Sequence, residues 1–494
     1  MADRRLALLC CIALGAPLPL RAEAMSFADR QRIEARVEAL AESGGSPGAA
    51  GRIMTDLGLS LAQPDAAPPA SAGFAREAGG VIEMVDIRLL LTQIAVQSGA
   101  RDHQALVRAQ GDREHDVILL RGGFLSLDEL VDLAKGSAAQ DFVTRSGDTV
   151  VLSRPLAIWS DAGLHLGADD RLTLDRPNGS FVANFGWLDL AGGSVTGSDA
   201  SNPAEPGFRP FVMTAGQGRM TAVDASFQHL GFGDAPVFGG VSVVNTGLQV
   251  PKAVSFVATS RLEDVGTLAF VGTTGADVAA NAISGASGTA ILLSRAAESR
   301  IRANRIGPSA EGQGIRVSAG SRGVTLSGNR LSGLARTGIA IDQDSRDVTV
   351  AGNTITAGRT TGIALRQASC VTITGNLIAL NDGSGVTLGD TGGISVSDNA
   401  VLFNEGSGFL VRDQDGDAAV GLTGNVLIGN AAGFRGATPG RPTIAGNNLD
   451  GQMPRVFAGD LSHLTVGWLQ SRQGGAPVPV PATTPPCGAL EGDG

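Results

Sequence analysis

Two aspartates that lie two residues apart, Asp342 and Asp344, are the first candidates for chemistry in this sequence. Two carboxylates in one turn can act as an acid/base pair or bind Ca²⁺. Aspartate also favours turns, so the same pair can serve as a turn former without any chemistry. We take Asp342 and Asp344 as the candidate catalytic residues and keep the structural alternative beside them.

Charged and polar residues also follow a series of short apolar segments, at similar intervals along the chain. Arginine binds carboxylates through its forked guanidinium group, and Asp or Gln can bind sugar hydroxyls. Such a row suits a long polymer that carries both groups. The alternative is a solvated edge whose opposite charges pair with one another. The candidate binding residues are Arg295, Arg316, Gln343, Arg366, Gln367, Asp390, Arg412 and Asp413.

Metal and cofactor signals are sparse. The five histidines show no ligand spacing, and a lone one such as His229 is more often packed or exposed than catalytic. Residues 413–417, Asp-Gln-Asp-Gly-Asp, resemble part of a calcium loop but lack the downstream Glu of that motif. We therefore expect no cofactor, with Ca²⁺ as the alternative.

An asparagine recurs through the second half of the chain, each time after a short apolar alternation. The intervals are 23, 25, 24, 23, 23, 26 and 22 residues. A glycine that opens another apolar strand follows nine to eleven residues after several of them, as in Gly338-Ile339 and Gly362-Ile363. The recurrent asparagines are Asn281, Asn304, Asn329, Asn353, Asn376, Asn399, Asn425 and Asn447.

A period near 24 residues holds three short strands and three turns, which is one coil of a parallel β-helix. Equivalent strands would stack about 4.8 Å apart. Asparagine tolerates the left-handed conformation of a sharp turn, and its amide can hydrogen-bond the asparagines above and below. The sequence therefore predicts an all-β solenoid, a right-handed parallel β-helix of about thirteen coils over residues 141–450, with these asparagines as a structural ladder.

The rest of the chain divides into four further regions. Arg4 and Arg5, an apolar run and an A-x-A site ending at Ala24 predict a signal peptide over residues 1–24, so the expected location is the periplasm or the cell exterior. A retained anchor is the alternative. Residues 25–73 are predicted as a helical segment with an Ala/Pro linker, 74–140 as a mixed α/β entry and cap region, and 451–494 as a C-terminal segment with a disordered Pro-rich tail.

Composition narrows the possible functions. The 494 residues carry a formal charge of −10, which argues against a nucleic-acid partner, and no tyrosine is present to act as a proton donor. Hydrophobic content of 43% excludes bulk disorder, and no later segment is apolar enough to span a membrane. Once the leader is removed, two cysteines remain, and Cys370 is predicted to be a small buried residue rather than a disulfide partner.

Four segments carry a resemblance to a known family: VILLRGGFLSLDEL (117–130), TVVLSRPLAIWSDAGLHL (149–166), GSFVANFGWLDLAGGSVTGSD (179–199) and FRPFVMTAGQGRMTAVDASFQHLGFG (208–233). With the asparagine repeats, they make residues 115–450 similar to the periplasmic mannuronan C5-epimerases of alginate secretion. The resemblance implies a polyuronate groove on a β-helix, and removal and return of the C5 proton by a base and an acid. It also implies partner proteins of an exopolysaccharide export assembly.

One departure from that family affects catalysis. The family's key turn carries Asp-Pro-His-Asp, whose His is the base, and by coil order it falls here near Leu292-Leu293-Ser294-Arg295. The motif occurs nowhere in the chain. Three hypotheses remain: a non-catalytic protein that binds an acidic polysaccharide, an active C5-epimerase or lyase that uses Asp342, Asp344 and Arg366, and a purely structural β-helix.

Overall fold

The computed structural model describes residues 25–474 and residue 487. The exceptions are residues 63–66, 71–72, 74–78, 101–102, 112–115, 248, 250, 252, 310, 415–418 and 439–441. The predicted signal peptide and almost all of the predicted Pro-rich tail lie outside the described residues.

Three columns of strands, here called sheets 1, 2 and 3, wind into a parallel β-helix. Sheet 1 contains Asp116–Arg121, Leu156–Ile158, Val182–Asn184, Val212–Ala215, Gly240–Val244, Thr267–Val271, Thr289–Ser294, Gln313–Ser318, the first parts of Ile339–Ala351 and Ile363–Thr374, Val386–Gly392, Ser407–Arg412, Ala432–Ala437 and Phe457–Gly459. At its upstream edge, Val81–Asp86 pairs antiparallel with Asp116–Arg121.

The other two sheets follow the same order. Sheet 2 contains Phe124–Ser126, Gly163–Leu166, Trp187–Ala191, Arg219–Val223, Phe256–Ala258, Asp277–Ala279, Arg300–Arg302, Arg322–Ser327, the second parts of Ile339–Ala351 and Ile363–Thr374, Ile394–Ser397, Val420–Thr423 and Thr443–Ala445. Sheet 3 contains Val143–Ser146, Thr149–Leu152, Arg171–Leu174, Ser194–Gly197, Ser226–Leu230, Arg261–Val265, Ala282–Ser284, Arg305–Ile306, Arg330–Ser332, Thr354–Thr356, Leu377–Ala379, Ala400–Leu402 and Val426–Ile428.

This architecture confirms the predicted parallel β-helix. Twelve strands of sheet 3 stack in parallel within the described residues, close to the expected thirteen coils, and Val143–Ser146 is antiparallel to its neighbour. Parallel stacking already begins with Asp116–Arg121, earlier than residue 141, and still includes Phe457–Gly459.

The core is a stack of equivalent side chains from successive coils. Ile315, Ile339, Ile363 and Val386 are in register on sheet 1, and all are fully buried. The glycine before each of them is required by a close approach, since a Cβ on Gly338 would lie 2.7 Å from the carbonyl oxygen of the equivalent glycine in the next coil. The repeated Gly-Ile pair in the sequence is therefore a consequence of the close packing between successive coils.

The predicted asparagine ladder runs along the corner between sheets 2 and 3. Each rung from Asn281 to Asn425 donates through its backbone N–H and its Nδ2 to the Oδ1 of the next rung, at 2.8–3.0 Å. One detail of the prediction was wrong. The left-handed residue is the one before each asparagine, for example Gly352 at φ 64° or Ala303 at φ 55°, because the asparagine's amide must point inward to meet its neighbours.

A second polar ladder, which the sequence analysis missed, lies at the corner between sheets 3 and 1. Asn381 donates to Asn404, Asn404 to Asn430, and Asn430 to Gln452, with Nδ2-to-oxygen distances of 2.9–3.0 Å. All four side chains are buried. Because this ladder begins only in the later coils, its four members do not stand out as a repeat.

Within the described residues, six α-helices cover the ends and sides of the coils. They are α1 (Phe27–Glu42), α2 (Pro47–Asp56), α3 (Ile87–Ser98), α4 (Gln104–Arg108), α5 (Leu127–Ala134) and α6 (Leu464–Gly474). A 3₁₀ turn is also present at Arg176–Asn178. Ser126 and Glu129 form a capping box at the start of α5, where each side chain satisfies a backbone N–H of the other residue. No helix in the described part of the chain combines the length and hydrophobicity needed to cross a membrane.

The N-terminal helices pack against the outside of late coils. Val37 and Leu40 of α1 and Met54 of α2 join a buried cluster with Leu402 and Ile428 of sheet 3. In contrast, α3 lies over the outer face of sheet 1 in the early coils, where Ile87 and Ile94 are fully buried in a second apolar cluster. This cover leaves only the later part of sheet 1 open.

Cys370 and Cys487 form a disulfide, so the prediction of an unpaired Cys370 was wrong. The two cysteines are 117 residues apart, and no sequence spacing relates them. Gly393 permits the approach of the tail, since a Cβ at that position would lie 2.6 Å from the Cys487 sulfur.

Replacing both cysteines with serine is expected to lower the free energy of unfolding by about 2 kcal/mol, because the crosslink no longer restricts the unfolded chain. Urea unfolding of oxidised wild type and of the double variant measures this difference. Under reducing conditions the two proteins should coincide. A loss that persists under reduction would assign the effect to the serine side chains instead.

Candidate functional site

The outer face of sheet 1 changes character between two neighbouring coils. Ala269 and Leu292 are in register and buried in the apolar cluster under α3. The next residue in the same column, Arg316, has a side chain that is 33% exposed. From this coil onward the outer face of sheet 1, residues 313–437, is called the groove.

Small residues form the floor of the groove. Ala340, Ala364 and Thr387 follow Arg316 in register, one per coil. They leave room for a ligand to lie close to the sheet. The polar residues stand at the strand ends on either side of this column.

A cleft of about 730 Å³ opens at the upstream end of the groove. Its charged lining consists of Asp234, Glu311, Arg316, Arg336 and Arg359. Ser287, Thr289 and Gln313 add polar groups, and Gln313 donates to the Thr289 hydroxyl at 2.9 Å. Three guanidinium groups and two carboxylates therefore face one concave surface.

Only one of these charges is used in an ion pair within the described part of the chain. Arg316 contacts Asp342 through Nη2 to Oδ2 at 2.9 Å, and its Nε donates to the same carboxylate at 3.0 Å. Arg336, Arg359, Asp234 and Glu311 make no ion pair with any described residue. Among the predicted binding residues, opposite charges pair at Arg316 and Asp342 and, at 3.9 Å, at Arg412 and Asp413. Arg336 and Arg359 of the cleft lie outside that predicted set.

The predicted binding residues occupy three columns rather than one. Asp342, Arg366, Gly389 and Arg412 are in register at the downstream end of the sheet 1 strands. Arg316 lies two positions earlier in its strand, and its column continues with Ala340. A single row is not observed, because adjacent outward positions on a strand lie two residues apart and belong to different columns.

The third column is the corner after sheet 1, and its backbone is left-handed. The predicted residues there are Arg295, Gln343, Gln367, Asp390 and Asp413, with φ between 50° and 54°. A left-handed residue at each coil is a requirement of the corner, so Gln and Asp at these positions have a structural role. All five are exposed, and they form the outer rim of the groove.

Asp342 and Asp344 have different surroundings in the structure. Asp344 is an additional left-handed residue at φ 62°, and the register between this coil and the next shifts between Asp342 and Ser345. Its side chain is exposed, whereas the oxygens of Asp342 accept hydrogen bonds from Arg316. The coil carries one more corner residue than the next, and this extra residue explains the Asp-x-Asp spacing.

The position that the family resemblance assigns to the catalytic turn is apolar. Leu292 and Leu293 are buried, Ser294 is half-buried and Arg295 is exposed at the corner. Leu292 belongs to the cluster that α3 covers. None of these four residues is a histidine.

Sequence reasoning missed Arg336 and Arg359, which lie in the turn before each Gly-Ile strand. The signal was present in the segments LARTGI and GRTTGI, where an arginine precedes the glycine by two or three residues. The backbone N–H of Arg359 donates to the Leu334 carbonyl at 2.9 Å, so the two turns lie against each other. The residues predicted from the sequence all lie in the strand or in the turn after it, at one side of the groove.

His229 lies apart from the groove, on sheet 3. Its Nδ1 is 3.0 Å from an Asp264 oxygen, and Arg209 donates to the same carboxylate at 2.7 Å. Burial would raise the pKa of Asp264, but the hydrogen bonds from His229 and Arg209 outweigh it and hold that pKa below its ordinary value. His229 is thus half-buried in a contact with Asp264, and packing was one of the alternatives stated for it in the sequence analysis.

In the part of the chain that the structure covers, no three His, Cys, Asp or Glu side chains are grouped to hold a metal ion.

Comparison with known families and structures identifies the fold. A family model described as a right handed beta helix region matches residues 257–360 and 289–449, in agreement with the predicted hand. No curated protein sequence matches the chain significantly.

Solved structures share the same architecture. The crystal structure of the periplasmic alginate epimerase AlgG has a TM-score of 0.62 and 18% identity, and the match covers 78% of this chain and 94% of that one. A threonine-to-asparagine variant of AlgG matches with a TM-score of 0.61 and 17% identity over 81% of this chain and 98% of its own. The A-module of the Azotobacter vinelandii mannuronan C-5 epimerase AlgE4 matches with a TM-score of 0.38 and 12% identity, over 67% of this chain and 89% of its own. This similarity is too low to support an inference. At these identities the AlgG likeness shows a common β-helix fold.

Proposed function

We propose that this protein binds an acidic, uronate-containing polysaccharide along the groove of sheet 1 and lacks the epimerase activity of the proteins it resembles. The observation that carries the proposal is the cleft, where Arg336 and Arg359 face a concave surface without a carboxylate partner among the described residues. Exposed charges that are not paired within the protein can pair with a ligand. Asp234 and Glu311 supply acceptors for sugar hydroxyls.

The geometry of the groove suits a linear polymer. Coils repeat about every 4.8 Å, which is close to the length of one sugar ring in an extended chain. The small floor residues Ala340, Ala364 and Thr387 repeat at the same interval. A polyuronate along the axis would therefore present one carboxylate to each coil.

The compartment in this proposal is the periplasm or the cell exterior. The Cys370–Cys487 disulfide supports it, since disulfides persist in oxidising compartments. The fold shared with AlgG, which is periplasmic, supports it as well. The signal peptide and the partner proteins of an export assembly stay predictions.

The direct test is binding of polymannuronate and polygalacturonate by isothermal titration calorimetry. Binding should weaken as salt rises, because the contacts are ionic. Neutral dextran is the matched control and should not bind, and EDTA should leave polyuronate binding unchanged. Absence of polyuronate binding at low salt contradicts the proposal.

An active C5-epimerase or lyase is the second candidate, and one observation favours it. Asp342 contacts Arg316 and is in register with Arg366, so a carboxylate lies beside one arginine of the groove and one coil from another. A base at this place could act on C5 while an arginine holds the sugar carboxylate. Proton exchange at C5 in deuterated water, and absorbance from unsaturated chain ends, measure the two reactions.

Replacing Asp342 with asparagine distinguishes the two candidates. If the groove only binds, Asp342→Asn frees Arg316 for the ligand, and the dissociation constant for polymannuronate should fall about two- to fivefold. Asp344→Asn is the matched control, since Asp344 is exposed and makes no ion pair with a described residue, and it should change affinity little. C5 exchange by the wild type that Asp342→Asn abolishes would instead establish the enzyme.

A further inference from the structure

We propose that the groove is closed at its upstream end, so that the protein binds the end of a polysaccharide chain rather than its interior. This inference rests on the proposed function and specifies which part of the polymer the site accepts. It follows from what covers sheet 1 in the early coils.

Upstream of Arg316, the outer face of sheet 1 is buried beneath other segments. Met213, Ala269 and Leu292 belong to one apolar cluster with Ile87 and Ile94 of α3. Met213 and Ala269 are fully buried, and Leu292 is 9% exposed. A polymer lying on the sheet cannot continue in this direction.

Residues 231–239, here called the wall, stand where the cover ends. The backbone N–H of Phe232 donates to the Phe238 carbonyl at 2.8 Å, which closes the segment into a loop. Phe238 is 2% exposed within the same apolar cluster, and the ring of Phe232 lies 5.3 Å from that of Phe208. Asp234, at the tip of the wall, lines the cleft. The wall is therefore held by packing and by a hydrogen bond.

At the other end of the groove, the described residues on the outer face of sheet 1 are less buried. The column of Arg316 continues with Leu410, which is half-buried, and Arg435, which is exposed, and it ends at Ala458, which is half-buried. The cleft, with Arg336 and Arg359, lies at the wall and not at this open end. Two arginines that make no ion pair with a described residue, Arg336 and Arg359, thus lie where a chain terminus would stop.

A closed end predicts a stoichiometry. A glycan chain has two chemically different ends, and a groove of fixed direction places only one of them at the wall. One chain then binds one protein, whatever its length. The groove crosses six strands, about 24 Å, so affinity per chain should stop rising beyond about six sugars.

Sedimentation velocity with size-fractionated polymannuronate, in excess protein, measures this number. We expect one protein per chain for polymers of ten and of one hundred sugars. A count that grows with chain length overturns the closed end, while binding itself then still supports the proposed function. No binding to any fraction contradicts the proposed function, and the inference fails with it.

A groove variant serves as the control on the location of binding. Arg336→Gln combined with Arg359→Gln should remove the one bound protein from both fractions. If the one-to-one complex persists in this variant, the chain end is held elsewhere and the inference is overturned.

Discussion

Replacing Arg336, Arg359 and Arg366 together with glutamine is expected to raise the dissociation constant for polymannuronate about 100-fold or more. Each guanidinium that loses a charge-assisted contact costs about 1–1.5 kcal/mol, and three such losses reach this range. Arg336 and Arg359 line the cleft, and Arg366 is exposed at the end of the next strand. Calorimetric titration at low salt measures the change.

The matched control removes the same charge from other faces. Arg171 and Arg261 on sheet 3 and Arg300 on sheet 2 are exposed, and none makes an ion pair with a described residue. Their triple replacement by glutamine lowers the net charge equally and should change affinity only a few-fold, through the overall field. Equal losses in both triple variants would mean that binding follows net charge and not the groove.

Replacing Asn353 with alanine is expected to destabilise the protein by about 4 kcal/mol. Asn353 is fully buried in the middle of the ladder. Its Oδ1 accepts from the backbone N–H and the Nδ2 of Asn329, and its Nδ2 donates to Leu326, Ala351 and Asn376. Alanine leaves these groups without partners in a site that water does not reach, so each loses its hydrogen-bond energy.

Urea unfolding followed by far-ultraviolet circular dichroism measures that loss. Asn448→Ala is the matched control, because Asn448 is exposed beside the last rung and its Oδ1 only accepts from the Asp450 backbone at 3.0 Å. It should cost less than about 0.5 kcal/mol. If the two variants lost similar amounts of free energy of unfolding, the buried asparagines of the ladder would contribute no more to stability than an exposed asparagine.

These two predictions separate the scaffold from the site. The ladder variant should lower stability without a direct effect on the groove, since Asn353 lies at the corner between sheets 2 and 3. The arginine variant should lower affinity without a change in unfolding, because exposed side chains without partners contribute little to stability. Measuring both properties for both variants tests this division.

The sequence by itself determined the solenoid and its first ladder. The pattern of strands and turns depends on neighbouring residues, and each coil repeats the pattern of the coil before it. An asparagine that recurs at the coil period therefore occupies the same structural position in every coil. The same argument applies to α3 and to the capping box at Ser126, both of which form through local interactions. Their signals lie within a few neighbouring residues.

Only the tertiary structure decided what the groove is. The column to which Arg316 or Arg366 belongs depends on how many residues each preceding turn contains. Asp344 is an extra corner residue in its coil, so it has a different role from Asp342. The cover over Leu292 comes from α3, about 200 residues earlier in the sequence, and Cys487 reaches Cys370 across 117 residues. Contacts between distant segments are set by the packing of whole faces, and such packing leaves no periodic trace in the sequence.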